Sequence, residues 1–104
     1  MARKIIQGEQ YPMPFILTLK GVTYTPENVT ELRAKLGGFS AFYPNGDLVY
    51  RNGAWQFPLT QEMSYQLKSG MADFQVQGKT SGGNILSTDI TKVTVNPTIF
   101  GGAW

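Results

Sequence analysis

Apolar and polar residues alternate one by one along several short stretches of this chain. In residues 72–77, alanine, phenylalanine and valine alternate with aspartate and glutamine, and residues 15–20 and 54–59 carry similar patterns. Successive side chains of a β-strand point to opposite faces, so this period of two predicts strands with one buried face. Glycine and proline lie mainly between these stretches, where they predict turns. The sequence therefore predicts an all-β protein.

Composition agrees with a folded domain that needs no crosslink. Hydrophobic residues make up 41% of the 104 residues and charged residues 15%. Disordered chains usually carry more charge and less apolar surface. The length predicts one domain over residues 1–104, with residues 96–104 as a C-terminal tail after the last strand.

Several functional classes are excluded or disfavoured by the residue types present. The chain has no cysteine and no histidine, which excludes Ser-His-Asp and Cys-His catalysis and removes the commonest metal ligand. Its net charge is +2, without a block of like charges, and no apolar run is long enough to span a membrane. We expect no enzyme activity, metal, cofactor, signal peptide, nucleic-acid partner or membrane partner.

Residues 25–38 fit two structures. As a helix, the segment would begin at Thr25 and bury residues at helical spacing, which are Val29, Leu32 and Leu36. As a turn followed by a strand, it would expose Arg33 and bury every second residue, namely Leu32, Ala34 and Leu36. The pattern alone does not separate the two, and the β-rich surroundings favour the strand.

Two Asn-Gly pairs, at residues 45–46 and 52–53, predict type I′ turns, because both residue types tolerate a positive φ. Together they predict a meander of three strands over residues 40–44, 47–51 and 54–59.

Three further elements complete the prediction. Residues 4–7 fit a short edge strand, and Thr60 fits the N-cap of one or two helical turns. Residues 85–95 fit a last strand whose inward pattern slips by one residue near Thr91, which predicts a β-bulge.

About seven strands at this spacing are typical of an Ig-like antiparallel β-sandwich with one or two short helical turns. The predicted core consists of Phe15, Leu17, Leu19, Leu32, Trp55, Phe57, Leu59, Phe74, Val76, Ile90 and Val93.

The aromatic residues offer three candidate surfaces. Ile99, Phe100 and Trp104 follow the last strand, where they either fold back over their own sheet or form an interface with a neighbour. A solvent-facing set of Tyr43, Tyr50 and Trp55 would favour carbohydrate binding. A cluster near Lys35 would resemble a platform for single-stranded nucleic acid, although core packing is the commoner role of its members, which are Phe39, Phe42 and Tyr43.

The second half of the chain carries a recognisable pattern. Residues 57–62 read Phe-Pro-Leu-Thr-Gln-Glu, and residues 74–77, 82–84, 87–90 and 93–95 continue the pattern. It resembles small proteins encoded among the tail genes of phages and prophages of Gram-positive and gut bacteria. It is also similar to the N-terminal Ig-like domain of phage baseplate upper proteins.

The resemblance extends from Phe15 to Val95 and involves strand and turn positions only. It implies a virion structural or accessory protein of the tail or baseplate, present in the host cytoplasm during assembly. The implied partners are other tail or baseplate proteins and further copies of the chain. A carbohydrate- or host-surface-binding module of the same fold is the alternative.

Overall fold

The computed structural model describes residues 3–101 and residue 104, and it is mostly β, with 57% strand and 6% helix. Eleven strands and one helix occur in this described part. The strands are β1 (Arg3–Ile6), β2 (Tyr11–Phe15), β3 (Leu17–Leu19), β4 (Val22–Tyr24), β5 (Val29–Leu36), β6 (Phe39–Tyr43), β7 (Val49–Arg51), β8 (Ala54–Leu59), β9 (Gly70–Thr80), β10 (Ile85–Ser87) and β11 (Thr91–Asn96). The helix is α1 (Gln61–Gln66).

The strands form a large sheet, a small sheet and a separate hairpin. The large sheet has the order β1-β11-β9-β5-β6, and β10 also pairs with β9; the small sheet has the order β2-β8-β7. The predicted edge strand near residue 4 is confirmed as β1, which pairs parallel with β11, whereas the other pairs are antiparallel. Several antiparallel sheets therefore build the protein.

The large sheet and the small sheet share one hydrophobic core. The ring of Phe74 on β9 contacts the rings of Phe15 and Phe57 in the small sheet, with centroid separations of 5.3 and 6.1 Å. Both contacts are edge-to-face, an arrangement that aromatic rings favour. Most of the predicted core residues are buried, and Leu19 is half-buried against them.

The prediction of one continuous strand over residues 15–20 is wrong, because β2 ends at Phe15 and β3 begins at Leu17. The chain leaves the small sheet at Ile16, which is exposed, and then forms the hairpin of β3 and β4. Lys20 and Gly21 form the turn of this hairpin with φ of 51° and 79°, as a type I′ turn requires. The predicted inward phase survives the break, because Phe15 and Leu17 are both buried.

The strand interpretation of residues 25–38 is confirmed. Thr25 accepts a backbone hydrogen bond from Val29 in the preceding turn, and β5 follows. The strand buries Leu32, Ala34 and Leu36 and exposes Arg33. β5 pairs with β6 on one side and β9 on the other, and this pairing overrides the local helical spacing.

The predicted three-strand meander is wrong. Residues 52–53 form the expected hairpin between β7 and β8, but β6 belongs to the large sheet and β7 to the small sheet. At residues 45–46 only Gly46 has a positive φ, so no type I′ turn forms there. The chain instead crosses between the sheets and buries Leu48 in the core. That burial is the physical reason for the departure.

The last strand is interrupted where the pattern slips. Ser87 pairs with Gln77 and Thr91 with Phe74, so three residues face two across the gap, as in a bulge. The hydroxyl of Thr88 accepts the Val76 backbone N–H at 3.0 Å and replaces a ladder bond. The extra residue leaves Ile90 56% exposed, so its prediction as a core residue is wrong.

The predicted helical turn is confirmed as α1. The hydroxyl of its N-cap, Thr60, accepts the Met63 N–H at 3.2 Å. On the inner side of the helix, the hydroxyl of buried Ser64 accepts the Gly8 N–H at 2.9 Å and donates to the Glu9 carbonyl at 2.7 Å. These bonds fasten the turn after β1 to the helix.

Candidate functional site

The predicted interface residues, which are Ile99, Phe100 and Trp104, follow β11 and are exposed to solvent. Ile99 is 96% exposed and Phe100 75%, and Trp104 is fully exposed. The backbone N–H of Trp104 donates to the Gln61 side-chain oxygen at 2.8 Å, so this residue lies beside the start of α1. Its side chain and those of Ile99 and Phe100 face solvent. These side chains therefore do not fold back over the sheet.

The free edge of β2 is closed to further strands. Pro12 lies opposite Pro58 across the β2–β8 ladder, so neither residue can donate to the other. In an antiparallel ladder such a pair is a non-hydrogen-bonded one, which turns the nitrogens of Pro12 and Pro14 toward the free edge. Proline at these positions offers no N–H to an added strand.

Two edges of the large sheet are partly closed by their own turns. On β1, Ile6 donates its N–H to the Glu9 carboxylate at 2.8 Å and accepts the Glu9 N–H at 3.1 Å. On β6, Phe42 donates its N–H to the Asp47 carboxylate and accepts the Leu48 N–H at 3.0 Å. Side-chain contacts are therefore better placed than strand addition to join this protein to a partner at these edges.

The aromatic set considered for carbohydrate binding is mainly structural. Trp55 is completely buried and donates its indole N–H to the Tyr24 carbonyl at 3.0 Å. Tyr43 and Tyr50 are half-buried, and their rings contact Trp55 edge-to-face at 4.9 and 5.2 Å. Tyr43 belongs to the large sheet and Tyr50 and Trp55 to the small sheet, so the set packs against the shared core, and Trp55 has no open face for a sugar ring.

The cluster near Lys35 is also divided by the fold. Phe39 and Tyr43 are half-buried against the core, whereas Phe42 is 43% exposed on the outer face of the large sheet. Only one ring of this predicted cluster is available for stacking, so the geometry does not support a platform for successive bases.

A row of four outward side chains crosses the outer face of the large sheet, and no local sequence pattern predicts it as a unit. Phe42, Arg33, Gln77 and Ser87 occupy neighbouring register positions on β6, β5, β9 and β10. The guanidinium of Arg33 donates from both Nε and an Nη to the Gln77 side-chain oxygen. The Gln77 amide in turn donates to the Ser87 hydroxyl at 3.0 Å. Each strand contributes one outward residue, so only the pairing reveals the row.

Among the described residues, no three acidic, histidine or cysteine side chains form a group that could hold a metal ion. The same part of the chain contains no helix that is long and apolar enough to cross a membrane. Burial raises the pKa of the Tyr11 phenol, the nearby Glu9 carboxylate raises it further, and Arg3 opposes both.

No family model, curated protein or solved structure matches this chain. The resemblance of residues 15–95 to phage tail proteins therefore stays a prediction.

Proposed function

We propose that this protein is a non-enzymatic structural or accessory component of a phage or prophage tail or baseplate. It would act through contacts with other tail or baseplate proteins and with copies of itself. It would reside in the virion tail, and in the host cytoplasm during assembly. The pattern of residues 57–95 supports the class of protein, and the exposed segment after β11 supports the mode of action.

The exposure of Ile99, Phe100 and Trp104 is the observation that carries the proposal. Full burial of an apolar side chain of this size is worth about 1.5–3 kcal/mol. Tryptophan is also among the residues that most often dominate interface energies. Within the described structure the segment covers none of the three side chains, so a neighbouring molecule would gain this energy on binding.

The finer assignment of the fold, an Ig-like antiparallel β-sandwich, belongs to the same proposal. The large and small sheets contribute to one core through the contacts of Phe74 with Phe15 and Phe57. Two sheets that share an inner core in this way are the defining arrangement of a sandwich.

The alternative, a carbohydrate- or host-surface-binding module, has less support. It required an open aromatic face among Tyr43, Tyr50 and Trp55, and the indole of Trp55 is completely buried. Tyr43 and Tyr50 are half-buried, and their rings pack edge-to-face against that indole. Protein–protein contact is therefore the function that the geometry supports best.

The gene neighbourhood tests the class of protein, and a binding assay tests the surface. Tail genes on both sides of the coding sequence are expected; a setting of metabolic genes would contradict the proposal. Proteins from the adjacent genes should bind the wild-type chain and lose binding when Ile99, Phe100 and Trp104 are all replaced by serine.

A matched variant keeps this assay specific. Serine at Ile16, Met71 and Ile90 removes three other exposed apolar side chains, and it should leave binding intact. Equal loss of binding in both variants would show a general loss of apolar surface and would overturn the assigned interface.

A further inference from the structure

The outer face of the large sheet carries positive charge that the described protein does not neutralise. Lys79 pairs with Glu31 at 4.0 Å, and Lys92 pairs with Asp73. Within residues 3–101 and residue 104, no ion pair forms at Arg33 or Lys35. Both belong to β5, which lies between β6 and β9, and both are exposed.

Arg33 is held in position by a neutral partner. Gln77 accepts two hydrogen bonds from the guanidinium and is itself held by Ser87. Because the partner is an amide, the bonds orient the guanidinium and leave its charge intact. An oriented arginine loses less conformational freedom on binding a carboxylate than a mobile one, and charge-assisted bonds are the stronger kind.

Two open grooves meet at this arginine. One has a volume of about 540 Å³ and extends past Tyr43 and Lys79, and the other, of about 390 Å³, extends past Lys35 and Ser40. Arg33, Phe42 and Gln77 line both. The first groove is also lined by Glu31, the partner of Lys79, so the unpaired cations lie on the side of Arg33 and Lys35. A chain lying along that side would meet a fixed cation, a second cation and one exposed aromatic ring.

We propose that this face binds an extended acidic peptide of a protein partner, laid along β5. Arg33 and Lys35 are two residues apart on one strand, a separation of about 6.6 Å. Carboxylates at alternate positions of an extended peptide repeat at the same distance, so two of them match the two cations. An apolar side chain of the peptide packs on Phe42, which lies directly across from Arg33.

Charge and ring count favour this occupant over two others. A single exposed ring gives a nucleic acid only one stacking position, whereas such proteins usually stack successive bases. A second copy of this chain carries a net charge of +2, so it offers no electrostatic match to a positive face. The site is separate from Ile99, Phe100 and Trp104, and its existence does not depend on the assembly role proposed above.

An NMR titration of the ¹⁵N-labelled full chain tests the proposal. The probe is an eight-residue synthetic peptide whose alternate positions carry leucine, glutamate, glutamate and leucine, with serine between them, so that these four side chains share one face. We expect shifts at the amides of Arg33, Lys35, Phe42 and Gln77, and weaker binding at higher salt. The double variant Arg33→Gln, Lys35→Gln should weaken binding at least about tenfold, equivalent to roughly 1.4 kcal/mol.

The control variant is Lys20→Gln, Lys68→Gln, which removes the same charge from exposed lysines away from this face. It should change the affinity for the peptide by less than about twofold, since it leaves Arg33 and Lys35 in place. Equal weakening by the two variants would mean non-specific attraction and would overturn the site.

Three other outcomes also overturn the proposal. The first is equal binding of a peptide with glutamine in place of glutamate. The second is stronger binding of an oligothymidylate of matched charge to the same amides. The third is an oligomer, seen by light scattering without peptide, that only the Arg33→Gln, Lys35→Gln variant disperses, because the face would then bind a second copy.

Discussion

Replacing Phe74 by alanine tests how the two sheets are joined. Phe74 is 6% exposed and its ring contacts Phe15 and Phe57. Truncation of a buried phenylalanine costs about 3–5 kcal/mol through lost transfer free energy and the cavity left behind. Each edge-to-face pair contributes about 0.5–1.5 kcal/mol beyond burial, so we expect the upper half of that range.

The assay is urea denaturation followed by tryptophan fluorescence, because Trp55 is buried in the same core. A domain of this size is stable by only about 5–15 kcal/mol, so Phe74→Ala could leave little folded protein. Phe74→Leu keeps most of the volume and loses the two ring contacts, at a cost of about 1–3 kcal/mol. Phe42→Ala is the exposed control and should cost under about 1 kcal/mol. A cost below about 1 kcal/mol for Phe74→Ala would refute the inward face of β9 and the joined core.

Three further predictions concern the turn after β1, the free edge of β2 and the half-buried phenol of Tyr11. Ser64→Ala should cost about 1–3 kcal/mol in chemical denaturation, because the Gly8 N–H loses its buried acceptor; an unchanged midpoint would contradict this. Replacing Pro12 and Pro14 by threonine restores two N–H groups at the free edge of β2, so light scattering should show new association that increases with protein concentration. A molecular mass identical to that of the wild type at every concentration would contradict this. The raised pKa of Tyr11 means that its neutral form is favoured in the fold, so this contribution to stability is present below pH 10 and is lost as pH rises through the folded pKa. The phenol absorbance of wild type minus Tyr11→Phe should therefore titrate above pH 10, and a midpoint below 10 would be the contrary result.

Local patterns predicted those elements whose neighbours in space are also neighbours in sequence. The hairpin at Asn52 and Gly53 and the helix after Thr60 depend on local backbone preferences, and both are confirmed. The Asn45-Gly46 pair carries the same local preference, yet no hairpin forms there. The need to bury Leu48 in the core decides that turn, and a local pattern does not contain this need.

The sequence pattern also did not predict which strands belong to the same sheet. Phe15, Leu17 and Leu19 lie at alternate positions, as in one continuous strand. The chain nevertheless changes partner strand at Ile16 without changing phase. The alternate spacing predicted correctly that Phe15 and Leu17 are buried, but it did not predict which strands pair with each other. The same limit applies to the outer face, where Arg33 and Gln77 come together only because β5 pairs with β9.

The interface candidates could be identified from sequence because they follow the last strand without a further strand pattern. Ile99 and Phe100 are large apolar residues outside any predicted sheet, and the structure leaves them exposed. Whether another molecule covers them depends on a surface outside this chain.

Removing residues 98–104 tests the central claim, that the segment after β11 binds a neighbour and does not support the core. Light scattering and thermal unfolding are measured on the full chain and on the shortened one. We expect the shortened chain to lose self-association or partner binding, with a melting temperature within about 4 °C of the full chain, equivalent to roughly 1 kcal/mol or less. A full chain that is monomeric without a partner, and whose shortened form melts more than about 8 °C lower, would show that the segment belongs to the core.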